Sequence, residues 1–511
     1  MKVLLDTNIV IERESNSINE TDIGNLYYWL DKLTYAKCVH KTTLEEIERH
    51  KDKKVRETMK IKLQSYNILT TEASLNPAVE AVSKKFDVSS NDFTDTKILN
   101  ELFNNKVDIL ITEDGKIHKK AEALGVAHRV FRIETFLEKV NAENPQLVEY
   151  RNPIAKKKKL GNIPLQDQFF DSFRRDYPGF DGWYNSKSEE PAYVCLSPEG
   201  QVLAFLYIKK EDENEDYYSE GKRIEPVFSK KKRLKIGTFK VSLNGYKLGE
   251  RFLKIIFDNA LKQKVDQIYV TIFDNEKEKI RLIELLKEWG FKEWGIKTSK
   301  AGLEKVYVRD FARIFNSEEP KFSFPYIAKD SKIHFVLVNP EYHTELFPDS
   351  ILKTEDPENF IGNKASMNAI SKIFVSHTPN RDIKKGDSLL FYRTKDNGPA
   401  AYTSVVTTLG IVESINNDIK TEEEFISLCG KRSVFDKEDL GLLWNKYSSF
   451  KPFIVNFLYA YSFPKRANLQ KLIDMKVVRN VMSVPRPFEI IDQESFSKIV
   501  EATETDRTIL V

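Results

Sequence analysis

The strongest constraint on this chain is an alternation in its first 135 residues: short apolar runs, each stopping at polar residues, separated by stretches with helical spacing. Residues 2–5 stop at Asp6-Thr7-Asn8, and the apolar run 107–111 stops at Thr112-Glu113-Asp114. Between them, 25–32 reads as helix and 37–40 as a second short strand, and Thr42-Thr43 is expected to cap a helix through Leu44-Glu45-Glu46-Ile47. Asn91-Asp92-Phe93-Thr94-Asp95 precedes a helix expected over 96–103, and 116–124 is helical again. Strands alternating with helices call for a parallel sheet, in which ligands gather beyond the carboxyl ends of the strands.

The rest of the chain divides at two seams. One runs from Asn144-Pro145 through Arg151-Asn152-Pro153 to the tetralysine Lys156–Lys159, and the other spans 316–325 with Pro320 and Pro325. Both read as linkers. They cut the 511 residues into 1–148, 160–313 and 326–511, each an ordinary domain size. Lys plus Arg (80) nearly balances Asp plus Glu (77), which excludes a globally basic nucleic-acid coat. Cys38, Cys195 and Cys429 are too few and too far apart for a disulfide framework or a cysteine zinc site. With no apolar run of about 18 residues and an early charge at Asp6, the chain is expected to be soluble, reduced and cytoplasmic, with no membrane partner.

Any one of the acids in the first segment is by itself a common cap or turn residue. Asp6 and Asp114 at strand ends, with Glu45 or Glu46 and Asp92 or Asp95 near helix starts, form a set of hard oxygen ligands suited to Mg²⁺ or Mn²⁺. Such ions lower the pKa of a water and clamp a phosphodiester during in-line attack. On the ordered motifs "VLLDTNI", "TTLEEI", "NDFTDTKIL" and "ILITEDGKI", residues 3–135 resemble a PIN-domain nuclease. The resemblance implies catalytic and metal-binding roles for Asp6, Glu46, Asp95 and Asp114, with Asp92 as a substitute or extra ligand, and cleavage of RNA.

In the middle segment, 192–196 and 202–209 alternate as a hairpin, and 233–241 reads as a strand. A loop, Ser242-Leu243-Asn244-Gly245-Tyr246-Lys247-Leu248-Gly249, then leads into an amphipathic helix expected over 250–262. The strand 267–273 and the helix 276–288 follow. A loop entering a helix N-terminus can hold a pyrophosphate. On "NGYKLGERFLK" and "LLKEWGFKEWG", residues 165–310 resemble a GNAT-type N-acetyltransferase. That implies acetyl-CoA bound along Asn244, Gly245, Tyr246, Lys247, Leu248, Gly249 and Glu250. Asn244 stands where the family has Arg or Gln, and Lys247 replaces its middle glycine, losing glycine's left-handed tolerance. No position matches the family's acid or base firmly, Tyr269 and Tyr307 being the nearest candidates.

The last segment is rich in short strands: 333–338, 388–393, a long alternating run at 401–414, and 452–461. "IKKGDSLLFYRT", "AYTSVVTTLGIVESI" and "CGKRSVFDKEDL" resemble PUA-like barrels of the ASCH and EVE type. Such barrels bind RNA or modified bases by stacking and phosphate contacts. The resemblance points to Tyr392, Arg393, Lys395, Lys431, Arg432 and Trp444, with Ser376-His377 nearby. The histidines show no metal-site spacing; His118 and His128 read as surface residues.

The expected architecture is α/β throughout: an N-terminal α/β/α parallel-sheet PIN-like domain, a central α/β acetyltransferase-like domain and a C-terminal PUA-like domain rich in β-barrel structure. The expected function is a metal-dependent endoribonuclease, resembling the toxin of a toxin–antitoxin system, with an antitoxin or regulator and a second copy of the chain as partners. Two rivals stand beside it: an N-acetyltransferase acting on an RNA-linked or protein amine, and a non-enzymatic RNA-binding scaffold.

Overall fold

The computed structural model describes residues 1–14, 21–48, 56, 63, 66–143, 155–197, 199–219, 223–243, 246–350, 365–395, 399–430, 432–446 and 450–511. They form a mixed α/β protein with three sheets. The chain divides into two compact units: Met1–Asn144 with Thr421–Lys431, and Pro145–Lys420 with Arg432–Val511.

In the first unit, β1 (Lys2–Leu5), β2 (Ala36–His40), β3 (Asn67–Leu69), β4 (Ile109–Ile111) and β5 (Val130–Phe131) pair in parallel in the order β3-β2-β1-β4-β5. Among the described residues, seven helices connect or flank them: α1 (Thr7–Glu14), α2 (Thr21–Lys32), α3 (Lys41–Glu48), α4 (Pro77–Phe86), α5 (Ser90–Phe103), α6 (Gly115–Ala123) and α7 (Ile133–Glu143). The chain builds outward from β1 on one side, then returns to build outward from it on the other. The carboxyl ends of β1 and β4 therefore flank a topological switch point. The Thr421–Lys431 excursion adds the helix Glu422–Cys429, where Phe425 and Cys429 are buried and Ser427 Oγ donates to the His128 carbonyl at 3.0 Å.

Three local expectations are corrected. Thr42 and Thr43 lie inside α3 rather than capping it, and the Thr43 hydroxyl pairs with that of Thr7 at 2.9 Å. α5 begins at Ser90, because Ser89 and Asp92 close a reciprocal capping box there, so Asp92 and Asp95 both lie within the helix. The tetralysine is not linker: Lys156–Lys159 forms strand β6, paired antiparallel with β7 (Pro191–Leu196) at the sheet edge. Lysine suits an edge strand, since its charge opposes pairing with another chain.

In the second unit, the middle sheet is completed by β8 (Val202–Glu211), β9 (Ile224–Glu225), β10 (Arg233–Val241), β11 (Gln267–Ile272), β12 (Lys292–Ser299) and β13 (Gly302–Asp310). Its order is β6-β7-β8-β10-β11-β13-β12-β9, and only β10 and β11 run parallel. Helices α8 (Asp171–Asp176), α9 (Phe180–Ser186), α10 (Leu248–Gln263) and α11 (Lys277–Glu288) accompany it.

The last sheet comprises β14 (Ile333–Val338), β15 (Ser371–Ser376), β16 (Ser388–Arg393), β17 (Val405–Asn416), β18 (Phe453–Asn468) and β19 (Ile490–Ile491), in the order β15-β18-β17-β16-β14-β19. It is strongly curled: Phe374 on one edge strand meets Phe488, two residues before the other, at a ring separation of 5.8 Å. One apolar core serves both sheets, joining Leu234, Ile236 and Phe252 with Leu390, Leu409 and Leu458.

Candidate functional site

The first unit places Asp6 directly after β1, 6% exposed, its backbone N–H bonded to the Ile111 carbonyl. Thr112, the residue after β4, donates its hydroxyl to Asp6 Oδ2 at 2.7 Å and accepts the Asp114 backbone N–H at 3.0 Å. Asp114 caps α6 through Oδ1, which accepts from Lys116 N and Ile117 N. One hydroxyl thus ties together the ends of two adjacent parallel strands.

Charge interactions link some of these acids in pairs. Burial raises the Asp6 pKa, and the charges of Asp114 and Glu46 raise it further, against the Thr112 hydrogen bond. Burial, then Asp114 and Asp6, push the Asp95 carboxyl up to about 7. Glu46 acts on Asp6, while exposed Glu45 acts on His40. Asp92 is spent elsewhere: its carboxylate takes a 2.6 Å bond from Lys116 and the N–H groups of Val88 and Ser89, which hold it well below the usual carboxylate range. Lys120 is fully buried and bonds the Asp92 carbonyl, the Thr96 hydroxyl and Asp87 at 2.5–2.9 Å. Among the described residues, no three His, Cys, Asp or Glu side chains stand as a ready-made metal-ligand set.

In the middle sheet, the β10–β11 ladder runs from Arg233↔Gln267 only to Ile236↔Val270, although both strands continue. The β8–β10 register shifts at the same point, around Gly237, where an added Cβ would lie 2.7 Å from the Tyr207 ring. Thr271, the first β11 residue past the ladder, donates to Glu304 Oε1 at 2.9 Å. Tyr177 donates to the same oxygen at 2.8 Å and Lys297 to Oε2 at 2.9 Å, leaving Glu304 1% exposed. Sequence reasoning missed Glu304 and Thr112. Thr112 sat inside a recognised motif, whereas Glu304 is assembled from partners 127 and 33 residues away, with no local signature. Of the two tyrosine candidates, Tyr269 is buried with its hydroxyl on Glu211 at 2.6 Å, and Tyr307 is buried in the core.

Of the expected cofactor loop, Asn244 and Gly245 lie outside the described residues. Lys247 adopts a left-handed φ of 56°, the conformation the absent glycine would supply. Tyr246, Leu248 and Glu250 are 5%, 1% and 5% exposed, and a Cβ on Gly249 would lie 2.8 Å from Leu285 of α11. The helix begins at Leu248, earlier than expected.

In the last sheet, the expected stacking surface is corrected. Tyr392 and Arg393 are 2% and 3% exposed, because the strand ending in them is buried along its whole length, and Trp444, on the helix Lys437–Asn445, is 6% exposed. Arg432 bonds Glu250 and the Ser371 carbonyl, Lys395 is exposed, and Lys431 lies outside the described residues. His377 is tied to the Leu443 carbonyl at 2.8 Å.

No protein-family model matches the chain, and no curated protein matches it in sequence. Solved structures are similar to parts of it. An ASCH protein from Zymomonas mobilis is 12% identical over 34% of this chain and 97% of its own, with a TM-score of 0.24. The NatC complex bound to Gag peptide and CoA is 13% identical over 31% and 99%, at 0.22. A putative GnaT-family acetyltransferase from Bordetella pertussis is 13% identical over 32% and 98%, at 0.21. Likeness this low says nothing of activity. Among the described residues, no helix is long and apolar enough to cross a membrane.

Proposed function

We propose that the first unit hydrolyses RNA phosphodiester bonds with a divalent cation held by Asp6, Glu46, Asp95 and Asp114. The observation that carries this reading is the tie between the ends of two parallel strands, Thr112 holding Asp6 beside the start of Asp114's helix, with the charges of Asp114 and Glu46 acting on Asp6 and those of Asp114 and Asp6 acting on Asp95. Carboxylates that raise one another's pKa gain by recruiting a cation. The donor chemistry fits Mg²⁺ or Mn²⁺, which take oxygen ligands and keep several waters. When bound, such an ion supplies a water of lowered pKa and steadies the phosphate. The chain's own part is to set the acids: Thr112 orients Asp6, Lys116 and Lys120 fix α5 against α6 through Asp92 and Thr96, and Lys120 also holds Asp87 at the end of α4.

The test is cleavage of a single-stranded RNA with Mn²⁺. Asp6→Asn with Asp114→Asn should lower the rate at least about 100-fold. Asparagine still accepts from Thr112 and still caps α6, so the fold should persist. Equal cleavage by the double variant would exclude the assignment.

A second reading, acyl transfer to an amine, is favoured by the parting parallel pair β10 and β11 and the polar set gathered on Glu304 where they part. Against it, the described part of the loop does not fit an open pyrophosphate cradle: Tyr246, Leu248 and Glu250 are buried, and Lys247 is ion-paired with Glu250. A saturable thermal shift with acetyl-CoA would favour this reading, since a ligand of the folded state must raise its stability.

A further inference from the structure

The start of α10 meets the approach to β15 through buried charge. Glu250, in the first turn of α10, accepts on Oε2 the backbone N–H groups of Ile370 at 2.9 Å and Ser371 at 3.2 Å. Arg432 donates to Glu250 Oε1 at 3.2 Å and to the Ser371 carbonyl at 2.7 Å. Lys247 lies 3.2 Å from Glu250, and its side chain is 10% exposed against 6% for the glutamate. The Tyr246 carbonyl accepts from Asn368 Nδ2 at 2.9 Å. On the next residue of the helix, Arg251 grips Asp349 with two bonds of 2.7 and 2.6 Å. Burial alone would raise the Glu250 pKa, but Arg432, Lys247 and Lys321 hold its carboxyl well below the usual range.

We infer that the start of α10 is a clamp fixing the last sheet to the middle sheet, with Glu250 as its hub, and that it does not receive a cofactor pyrophosphate. A helix N-terminus attracts anions because its first N–H groups carry partial positive charge. Here the chain supplies its own anion in the first turn and neutralises it with its own cations. An arriving diphosphate would lie beside a buried carboxylate and compete for Lys247 and Arg432. Stripping either cation from Glu250 would leave a buried charge short of its partner, the costly outcome for such pairs. The shared core beneath has the same consequence, since Leu234 and Phe252 pack in one cluster with Leu390 and Leu458.

The inference does not rest on the hydrolytic reading, and its test leaves RNA cleavage aside. Full-length protein is titrated with acetyl-CoA to about 1 mM while thermal stability is followed. Amide hydrogen exchange is then compared between the parent and Glu250→Ala, with Glu250→Gln as a milder variant that retains an acceptor. A clamp predicts no saturable shift with acetyl-CoA. It also predicts exchange at Ile370 and Ser371 at least about tenfold faster in Glu250→Ala, or in Glu250→Gln if the alanine variant does not fold, with exchange in the first unit unchanged. Saturable binding of acetyl-CoA, or unaltered exchange at those two amides, would overturn it.

Discussion

Asp95 sits where burial and two neighbouring carboxylates disfavour its charged form. Its carboxyl is raised from 3.8 to about 7, first by burial and then by Asp114 and Asp6. The folded state therefore holds this proton more tightly than the unfolded chain does. Below about pH 4 the group costs nothing; from about pH 4 to 7 the folded state loses stability, and above that the loss is constant. Asp95→Asn should accordingly stabilise the protein at pH 8 by about 1–2 kcal/mol, allowing for solvent screening, and have little effect at pH 4. Denaturant unfolding at the two pH values checks this, and equal effects at both would contradict it. Lys120 acts in the opposite direction on the same carboxyl. Lys120→Met should cost about 3–5 kcal/mol, because it leaves Asp87 without its cation. It should also move the alkaline rise of any RNA-cleavage profile to higher pH.

At the scale of elements, the edge strand β6 shows how an unremarkable charge run can be structural. Lys156 and Lys159 are both exposed on a strand that, among the described residues, pairs on one side only. Replacing them with valine should produce concentration-dependent association, visible by size-exclusion chromatography, because the open edge would lose the charge that guards it. The sequence could not disclose this, since four lysines carry no strand alternation and β6 is set by its partner β7. Elements that bury an apolar face were legible: β10, β14 and β16 fall where their hydrophobic patterns end. Helix starts were less so. α5 opens at Ser90 because of a side-chain cap at Ser89, and α10 opens on a left-handed lysine that propensity would not select. Of the candidate sites, each of the four acids was marked by its own local motif, and the strand ends carrying Asp6 and Asp114 stand where those motifs placed them. The burial of Tyr392 and Trp444 could not be read, because it depends on distant neighbours.

For the whole molecule, the division into two units makes ligand effects separable. Mn²⁺ should raise the unfolding temperature of the first unit by a concentration-dependent amount, about 2.7 kcal/mol of stabilisation at a hundredfold excess over its dissociation constant. The Asp6→Asn, Asp114→Asn variant should show no such rise, and a rise preserved in that variant would place the cation elsewhere. The first unit is also discontinuous, since the helix Glu422–Cys429 packs within it and buries Phe425. That has a consequence for synthesis. At roughly 5–20 residues per second, a ribosome needs about 15–55 s to travel from the end of the leading stretch to this returning helix. Throughout that interval the nascent N-terminal portion waits without its returning helix, leaving the His128 carbonyl without the Ser427 hydroxyl while the strands of the middle sheet are already being made.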